Sequence, residues 1–274
     1  MATLDRRDVS TGDVTNDELS IELLAVAVAA ARRAGALLLD GRGAARRIET
    51  KSSATDMVSE MDRAAEATIR EAIGTRRPDD AILGEEGGAS GGNGRVRWIV
   101  DPLDGTTNFL YGFPAWAVSV AAECDGTVVA GAVFDPTHDE LWTAIRGQGA
   151  RCNDEPLDCR AETTLPMALI ATGFAYSADV RAEQGAVIER LLPHVRDIRR
   201  AGAASLDLCW VAAGRVDAYF ERGTHIWDWA AGALVATEAG AEVTDFHGGP
   251  PSGAGLLAAP PGLAAALRRE LDGA

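Results

Sequence analysis

Lysine is nearly absent from this chain: Lys51 is the only one, so almost every positive charge is an arginine. Acids outnumber bases 41 to 26, for a formal charge of −15 over 274 residues. A composition so poor in lysine and so acidic excludes a broad cationic face for nucleic-acid phosphates or an anionic membrane. Aromatics are scarce as well, at 5%, so the core has to be built from Ala, Val, Leu and Ile. The four cysteines, Cys124, Cys152, Cys159 and Cys209, form no C-x-x-C pair and have no histidine at zinc spacing. That excludes a zinc knuckle and predicts buried free thiols in place of a disulfide framework. Long apolar runs are missing too. Residues 21–39 come closest to a membrane span, but Glu22, Arg32 and Arg33 interrupt them. No apolar stretch follows basic residues near the N-terminus, and a cytoplasmic protein is expected.

The apolar content of 47% is enough to fill one large domain or two modest ones. Residues 1–16, rich in Asp and Thr, are expected to be a disordered tail. From Asn16 the apolar residues recur at helical spacing as far as Gly41. The extended stretch RRIETKSSATDMVS leads to a second helix over 60–73, where Asp62 and Glu66, four apart, share a face. AILGEE reads as a strand entering a turn, and GGASGGNG as a flexible loop that lacks the Lys-Ser of a phosphate loop. RWIVD reads as a buried strand ending at Asp101, followed by a three-stranded antiparallel meander. Beyond residue 150 short apolar strands alternate with helices at about 178–192, 204–213, 227–239 and 261–271. The expected fold class is therefore α/β, with an α+β first half over 17–150 and an α/β second half over 151–274.

Three acidic clusters carry the chemistry: Gly84-Glu85-Glu86-Gly87, the segment from Trp98 to Asn108, and His225 to Gly232. In the second, Asp101 ends an apolar strand, Pro102 turns the chain, and Asp104 follows three residues later, so both carboxylates converge. Carboxylates that close repel one another unless a cation lies between them. With no Cys or His at ligand spacing, the fitting cation is hard and oxygen-loving, and Mg²⁺ is the default. Gly105-Thr106-Thr107 then places free backbone N–H groups beside those acids, a cradle suited to phosphate. D-P-x-D-G alone is a turn signal; a buried strand ending in two acids and a phosphate-type turn suggests metal-assisted phosphate ester hydrolysis.

WIVDPLDGTTNFLYGFP resembles the first signature of the inositol monophosphatase family of magnesium-dependent, lithium-sensitive phosphatases, and WDWAAGALVATEAGAEVTD resembles its second. GEE is the third element, and the resemblance runs over roughly residues 20–270 in the family's order. It implies a layered α/β/α/β/α sandwich of the inositol monophosphatase and fructose-1,6-bisphosphatase type, a homodimer, and Mg²⁺ at two to three sites. By the same resemblance Glu85, Asp101, the Leu103 carbonyl, Asp104 and Asp228 hold metal. Thr106, hydrogen-bonded to Asp62, and Glu85 align the attacking water, while Gly105 and Thr106 amides hold the phosphate. Glu221 and the loop Gly202-Ala203-Ala204 contact the polyol, with Asp104 and Asp228 beside it, and Lys51 stands at the site mouth. Ser59 departs from a frequent threonine, and none of the four histidines takes a family role. The implied reaction is hydrolysis of a small phosphorylated polyol, myo-inositol 1-phosphate first, by in-line attack of a metal-activated water. Relatives acting on histidinol phosphate, fructose 1,6-bisphosphate or 3′-phosphoadenosine 5′-phosphate share the cage. A non-catalytic role as a partner of the transcription machinery is the alternative of a different class.

Overall fold

The computed structural model describes residues 16–41, 48–50, 57–92, 94–159 and 163–271. The expected tail, apart from Asn16, and Lys51 lie outside the described residues. In chain order come α1 (Asn16–Gly41), β1 (Ile48–Thr50), β2 (Met57–Ser59), α2 (Glu60–Arg76), β3 (Ala81–Gly84), β4 (Gly88–Ser90), β5 (Val96–Asp104) and α3 (Thr106–Tyr111). A meander follows, of β6 (Ala117–Cys124), β7 (Thr127–Asp135), β8 (Glu140–Ile145), β9 (Ala150–Cys152) and β10 (Glu155–Pro156). The remainder holds β11 (Leu169–Thr172), α4 (Ala178–Leu191), β12 (Asp197–Arg199), α5 (Ala204–Ala212), β13 (Ala218–Glu221), α6 (Ile226–Glu238), β14 (Glu242–Thr244), β15 (Leu256–Ala259) and α7 (Pro261–Leu271).

Among the described residues an eight-stranded sheet runs β10-β9-β8-β7-β6-β5-β3-β4, and a five-stranded sheet runs β12-β11-β13-β15-β14. Helix α1 lies on one face of the large sheet because Leu23, Val26, Ala27, Ala30, Ala31, Ala34 and Leu38 form one continuous buried stripe. Small residues let it approach closely: a Cβ on Gly35 would stand 2.5 Å from the Phe134 ring. That face also takes Ala65, Ile69 and Ile73 of α2 and the fully buried Trp98 and Trp116. The opposite face, with Ile99, Ala121, Val133 and Trp142, packs on α5 and α6. The same two helices use Leu208, Val211 and Ala236 to cover the small sheet through Ala171, Tyr219 and Ala258. Val187 and Leu191 of α4 and Leu263 and Leu267 of α7 cover that sheet's outer face. The architecture is thus the α/β/α/β/α sandwich, with α5 and α6 as its middle layer. Cutting Leu23 or Ile69 to alanine would cost about 2–5 kcal/mol, the usual range for a fully buried aliphatic side chain.

Two expectations need correction. The segment read as a flexible glycine loop contains β4, paired antiparallel to β3 from Ile82↔Ser90 to Gly84↔Gly88. Arg70 fastens it, donating from Nη2 to the Gly88 carbonyl and from Nη1 to Ser90 Oγ, both at 2.7 Å. In addition, β5 does not end at Asp101; it continues through Pro102 to Asp104. The four cysteines are free, and no helix among the described residues is long and apolar enough to cross a membrane.

Candidate metal and phosphate site

The site begins with a defect in β5. Asp101 pairs with Ser119 of β6 and Asp104 with Ala117, so three steps on one strand oppose two on the other. The extra residue is a β-bulge, and Pro102, which has no N–H to give a ladder, lies inside it. Side chains three apart on a regular strand point to opposite faces. Here the bulge restores the phase: Asp101 stays in step with Ile99, Asp104 stands opposite Ala117, and both face the middle helices α5 and α6. Leu103 turns instead toward the α1 side. Its N–H donates to Asp101 Oδ1 at 3.0 Å, holding the carboxylate across the bulge.

The chain then turns at Gly105, whose φ of 90° and ψ of 35° make it the N-cap of α3. A side chain would not fit, because a Cβ there would lie 2.9 Å from the Ala115 carbonyl oxygen. The first N–H groups of α3 have no acceptor within their own helix. Thr106 Oγ1 lies 3.1 Å from Asp62 Oδ2 and 3.0 Å from the Leu103 carbonyl, so its single proton goes to one of them at a time.

From α2, Asp62 brings its carboxylate to Glu85 and Glu86, with one oxygen of each residue within 4.8 Å of the others. Sequence reasoning gave Glu86 no role, yet its carboxylate belongs to this group alongside that of Glu85. It also missed what holds this turn. Glu66 is buried and accepts the Glu86 N–H at 2.7 Å and the Gly87 N–H at 2.9 Å, while Arg70 Nε donates to it at 2.7 Å. A Cβ on Gly84 would stand 2.6 Å from that carboxylate, so the glycine is what lets the turn close over Glu66.

Asp101, Asp104 and Asp228 are buried or nearly so, and among the described residues none has a salt bridge to a cation. Burial, then the charges of Glu85, Asp104, Asp228 and Asp62, push the Asp101 carboxyl well above its ordinary range. Asp104 is pushed up to about 6 by burial, against hydrogen bonds from the Ser205 N–H at 2.7 Å and Oγ at 2.5 Å. Asp228 is raised well above its ordinary range by burial and by Asp104, while the His225 N–H, donating to Oδ2 at 2.6 Å, opposes the shift. His225 itself caps α6 and stacks on Trp227 at 4.8 Å. The charges of four acids thus bear on Asp101, while among the described residues the carboxylates that come within 4.8 Å of one another are those of Asp62, Glu85 and Glu86; oxygen donors alone suit a hard divalent cation.

A second wall faces this group. Tyr219 donates to Glu221 Oε2 at 2.7 Å, and the Glu221 carboxylate presses on Gly173 so closely that a Cβ there would overlap it. Burial pushes Glu221 up to about 7, against the Tyr219 hydrogen bond and Arg200. Gly202, at φ 90°, leads through Ala203 into Ala204 at the start of α5. Asn108, also unassigned by sequence reasoning, ties this loop to the first wall by donating to the Ala115 and Ala201 carbonyls at 2.6 and 2.8 Å. Asp207 of α5 is fully buried, and among the described residues neither of its side-chain oxygens has a hydrogen-bond partner. The structure thus assembles Asp62, Glu85, Asp101, Leu103, Asp104, Gly105 and Thr106 in the first half. Asp228 joins them from α6, and Glu221 and the 202–204 loop adjoin.

An acidic cluster beside a backbone turn, set where two sheets share their middle helices, fits the class of phosphatases whose carboxylates could hold a metal. A family model described as the inositol monophosphatase family matches residues 20–273, and the chain belongs to that family. The inositol-1-monophosphatase of Mycobacterium leprae is 49% identical over 236 residues, 82% of this chain and 81% of that protein. The Nus factor SuhB of Pasteurella multocida is 43% identical over 230 residues, 83% of this chain and 86% of that protein. The solved extragenic suppressor protein suhB from Bartonella henselae superposes with a TM-score of 0.86 at 39% identity, covering 91% of this chain and 98% of that one.

Proposed function

We propose that this protein hydrolyses phosphate monoesters of small polyols, with myo-inositol 1-phosphate as the leading substrate and Mg²⁺ as the cofactor. The observation that carries the reading is the grouping of the buried Asp101 and Asp104 with the half-buried Asp228, next along the chain to the Gly105–Thr106 turn. Glu85, Asp101, the Leu103 carbonyl, Asp104 and Asp228 would hold the metal; that carbonyl keeps a second lone pair beyond the Thr106 bond. Bound Mg²⁺ supplies charge neutralisation for the phosphoryl oxygens and makes water a competent nucleophile at neutral pH. The Thr106 hydroxyl, bonded to Asp62 Oδ2, orients that water, and Asp62 is placed to take up its proton through the hydroxyl. The N–H groups of Gly105 and Thr106 hold phosphate oxygens as charge develops. Glu221 and the 202–204 loop receive the polyol hydroxyls. The inositol-1-monophosphatase name of the mycobacterial relative supports this substrate.

The test is phosphate release from myo-inositol 1-phosphate, histidinol phosphate, fructose 1,6-bisphosphate and 3′-phosphoadenosine 5′-phosphate, with and without Mg²⁺ and Li⁺. Mg²⁺-dependent, Li⁺-inhibited release fastest from the inositol ester is the expected result. No turnover on any of the four would favour a binding role instead, the reading that the Nus factor name of the Pasteurella relative supports.

Glu66→Gln gives a more selective expectation. The amide keeps one acceptor oxygen but cannot receive the Arg70 Nε, Glu86 N–H and Gly87 N–H bonds together. Outer partners of metal ligands are typically worth about 10- to 100-fold in metal affinity or activity. The variant should therefore need at least about 10-fold more Mg²⁺ for half-maximal rate, while KM at saturating Mg²⁺ stays near the native value. An unchanged Mg²⁺ titration would sever Glu66 from the metal turn.

A further inference from the structure

A cleft opens on the outer face of the small sheet, on the side away from α5 and α6. Phe174, Phe220 and Phe246 give it aromatic walls, and Val187 and Ile188 of α4 give it aliphatic ones. It holds about 330 Å³ of space open to solvent, a volume at the small end for ligand sites. Gln184 of α4 frames it: Oε1 accepts the Ala175 N–H at 2.9 Å, and Nε2 donates to the Arg222 carbonyl at 3.4 Å. Strand alternation separates the cleft from the polyol wall. The Tyr219 hydroxyl and the Glu221 carboxylate bond to each other on the inner face of β13, whereas Phe220 between them packs in the outer core. Gly173 and Glu221 also line the cleft, so its edge reaches the strand ends where that wall begins.

One cation lines this mostly apolar space. Arg222 is half-buried and lies over the Phe246 ring, with Cζ 5.5 Å from the ring centroid. Among the described residues its side chain has no hydrogen bond and no salt bridge, and its Nε is shielded from solvent without an acceptor. A buried donor normally has a protein or water partner, so the missing acceptor identifies what the cleft lacks. A guanidinium is a planar fork that matches a carboxylate, and aromatic walls match a ring. A polyol would find few partners for its hydroxyls there, since beyond Arg222 the main donor to spare is the second N–H of Gln184 Nε2. A phosphate dianion would have to shed its water against three phenylalanines with a single cation to compensate it. A monocarboxylate carrying one ring meets both conditions.

We propose that this cleft is a binding site for small aryl monocarboxylates, with the carboxylate on Arg222 and the ring among Phe174, Phe220 and Phe246. The site is separate from the acidic cage and needs no metal. An occupant rests against Gly173 and Glu221 from the outer face of the sheet, opposite the face on which the Glu221 carboxylate meets Tyr219. The competing reading is that Arg222 only lays its stem over Phe246 and keeps its charge in water, in which case the cleft has no preference for an acid.

The experiment titrates phenylacetate into the metal-free protein in EDTA by calorimetry, with phenylacetamide as the neutral isostere and acetate as the acid without a ring. A dissociation constant of about 1 mM or tighter is expected for phenylacetate, with the amide and acetate each at least about 10-fold weaker. Arg222→Met keeps an apolar stem over Phe246 and removes the charge. It should weaken phenylacetate at least about 10-fold and leave the amide within about threefold of its native affinity. Ile188→Phe fills the cleft from α4 with the guanidinium intact, and should weaken phenylacetate at least about 10-fold by a separate route. Circular dichroism confirms that each variant is folded. No binding by about 10 mM, equal affinity for acid and amide, or undiminished binding in either folded variant overturns the proposal. Binding that appears only with Mg²⁺ would place the acid on the cage and overturns it as well. No phosphate is released in this test, so its failure and the failure of the phosphatase reading are independent results.

Discussion

Asp101→Asn is expected to abolish Mg²⁺-dependent phosphate release and, in the same protein, to raise the unfolding temperature of the metal-free form. Both effects follow from one geometry. Asp101 is buried on the bulge of β5, facing Glu85, Asp104, Asp228 and Asp62, and burial with those charges holds its carboxyl well above the ordinary range. Without a cation the group must either ionise against its neighbours or keep a proton, and either state costs stability. Asparagine removes that cost while its side-chain oxygen still accepts the Leu103 N–H, so the bulge survives. It also removes the charge that would draw the metal. Losing about 4 kcal/mol of charge stabilisation is a drop of about a thousandfold in rate. Each kcal/mol of relieved repulsion should raise the metal-free midpoint by about 2–4 °C in a chain of this size. A phosphate assay and calorimetry with and without Mg²⁺ read the two effects. Near-native turnover would remove Asp101 from the machinery; a lower midpoint would mean that the activity was lost through damage to the fold.

Local spacing carried much of this arrangement, and long-range partners carried the rest. The helix over residues 16–41 is legible because its apolar residues repeat at the helical period. The layering follows from the alternation of short strands with helices after residue 150. The convergence of Asp101 and Asp104 was legible from Pro102 and the three-residue spacing, but not its cause. A turn after Asp101 and a bulge within a continuing strand leave the same local signature, and only the pairing to Ser119 and Ala117 distinguishes them. Glu66 illustrates the same boundary. Its position four residues after Asp62 puts both on one helix face, yet the N–H groups it accepts come from a turn twenty and twenty-one residues away. Asn108 and Ser205 reach partners 93 and 101 residues distant. Residues that supply charge could be read from their types and order; residues that hold those charges in place are defined by contacts that no short window contains.

Mg²⁺ is expected to stabilise the protein strongly near about pH 7.5 and hardly at all near about pH 5, because protons and metal compete for the same carboxylates. Asp104 titrates at about 6 in the fold, and Asp101 and Asp228 lie well above their ordinary value of 3.8. Burial pushes Glu221 up to about 7 from an ordinary 4.5. A carboxyl raised on folding binds more protons in the native state than in the unfolded one between its two pKa values. Stability of the metal-free protein must then fall as pH rises through that window, from about 4 to about 7. The exposed Asp125 and Asp197 and the half-buried Asp245 are shifted the other way, by Arg95, by Arg199 and by the Gly249 N–H. Their stabilisation is lost only as pH drops below the ordinary aspartate range, so it leaves the window above about 5 undisturbed. A cation bound to the ionised cage reverses the trend. At a hundred times its dissociation constant it adds about 2.7 kcal/mol, or about 5–10 °C at this chain length. Calorimetry at the two pH values, in EDTA and in Mg²⁺, measures the difference directly. An equal Mg²⁺ shift at both would place the metal elsewhere than this cage. A metal-free midpoint that climbs from about pH 5 to about 7.5 would contradict the raised carboxyls themselves. The acids that cost the metal-free protein stability at neutral pH are the ones that would draw a divalent cation.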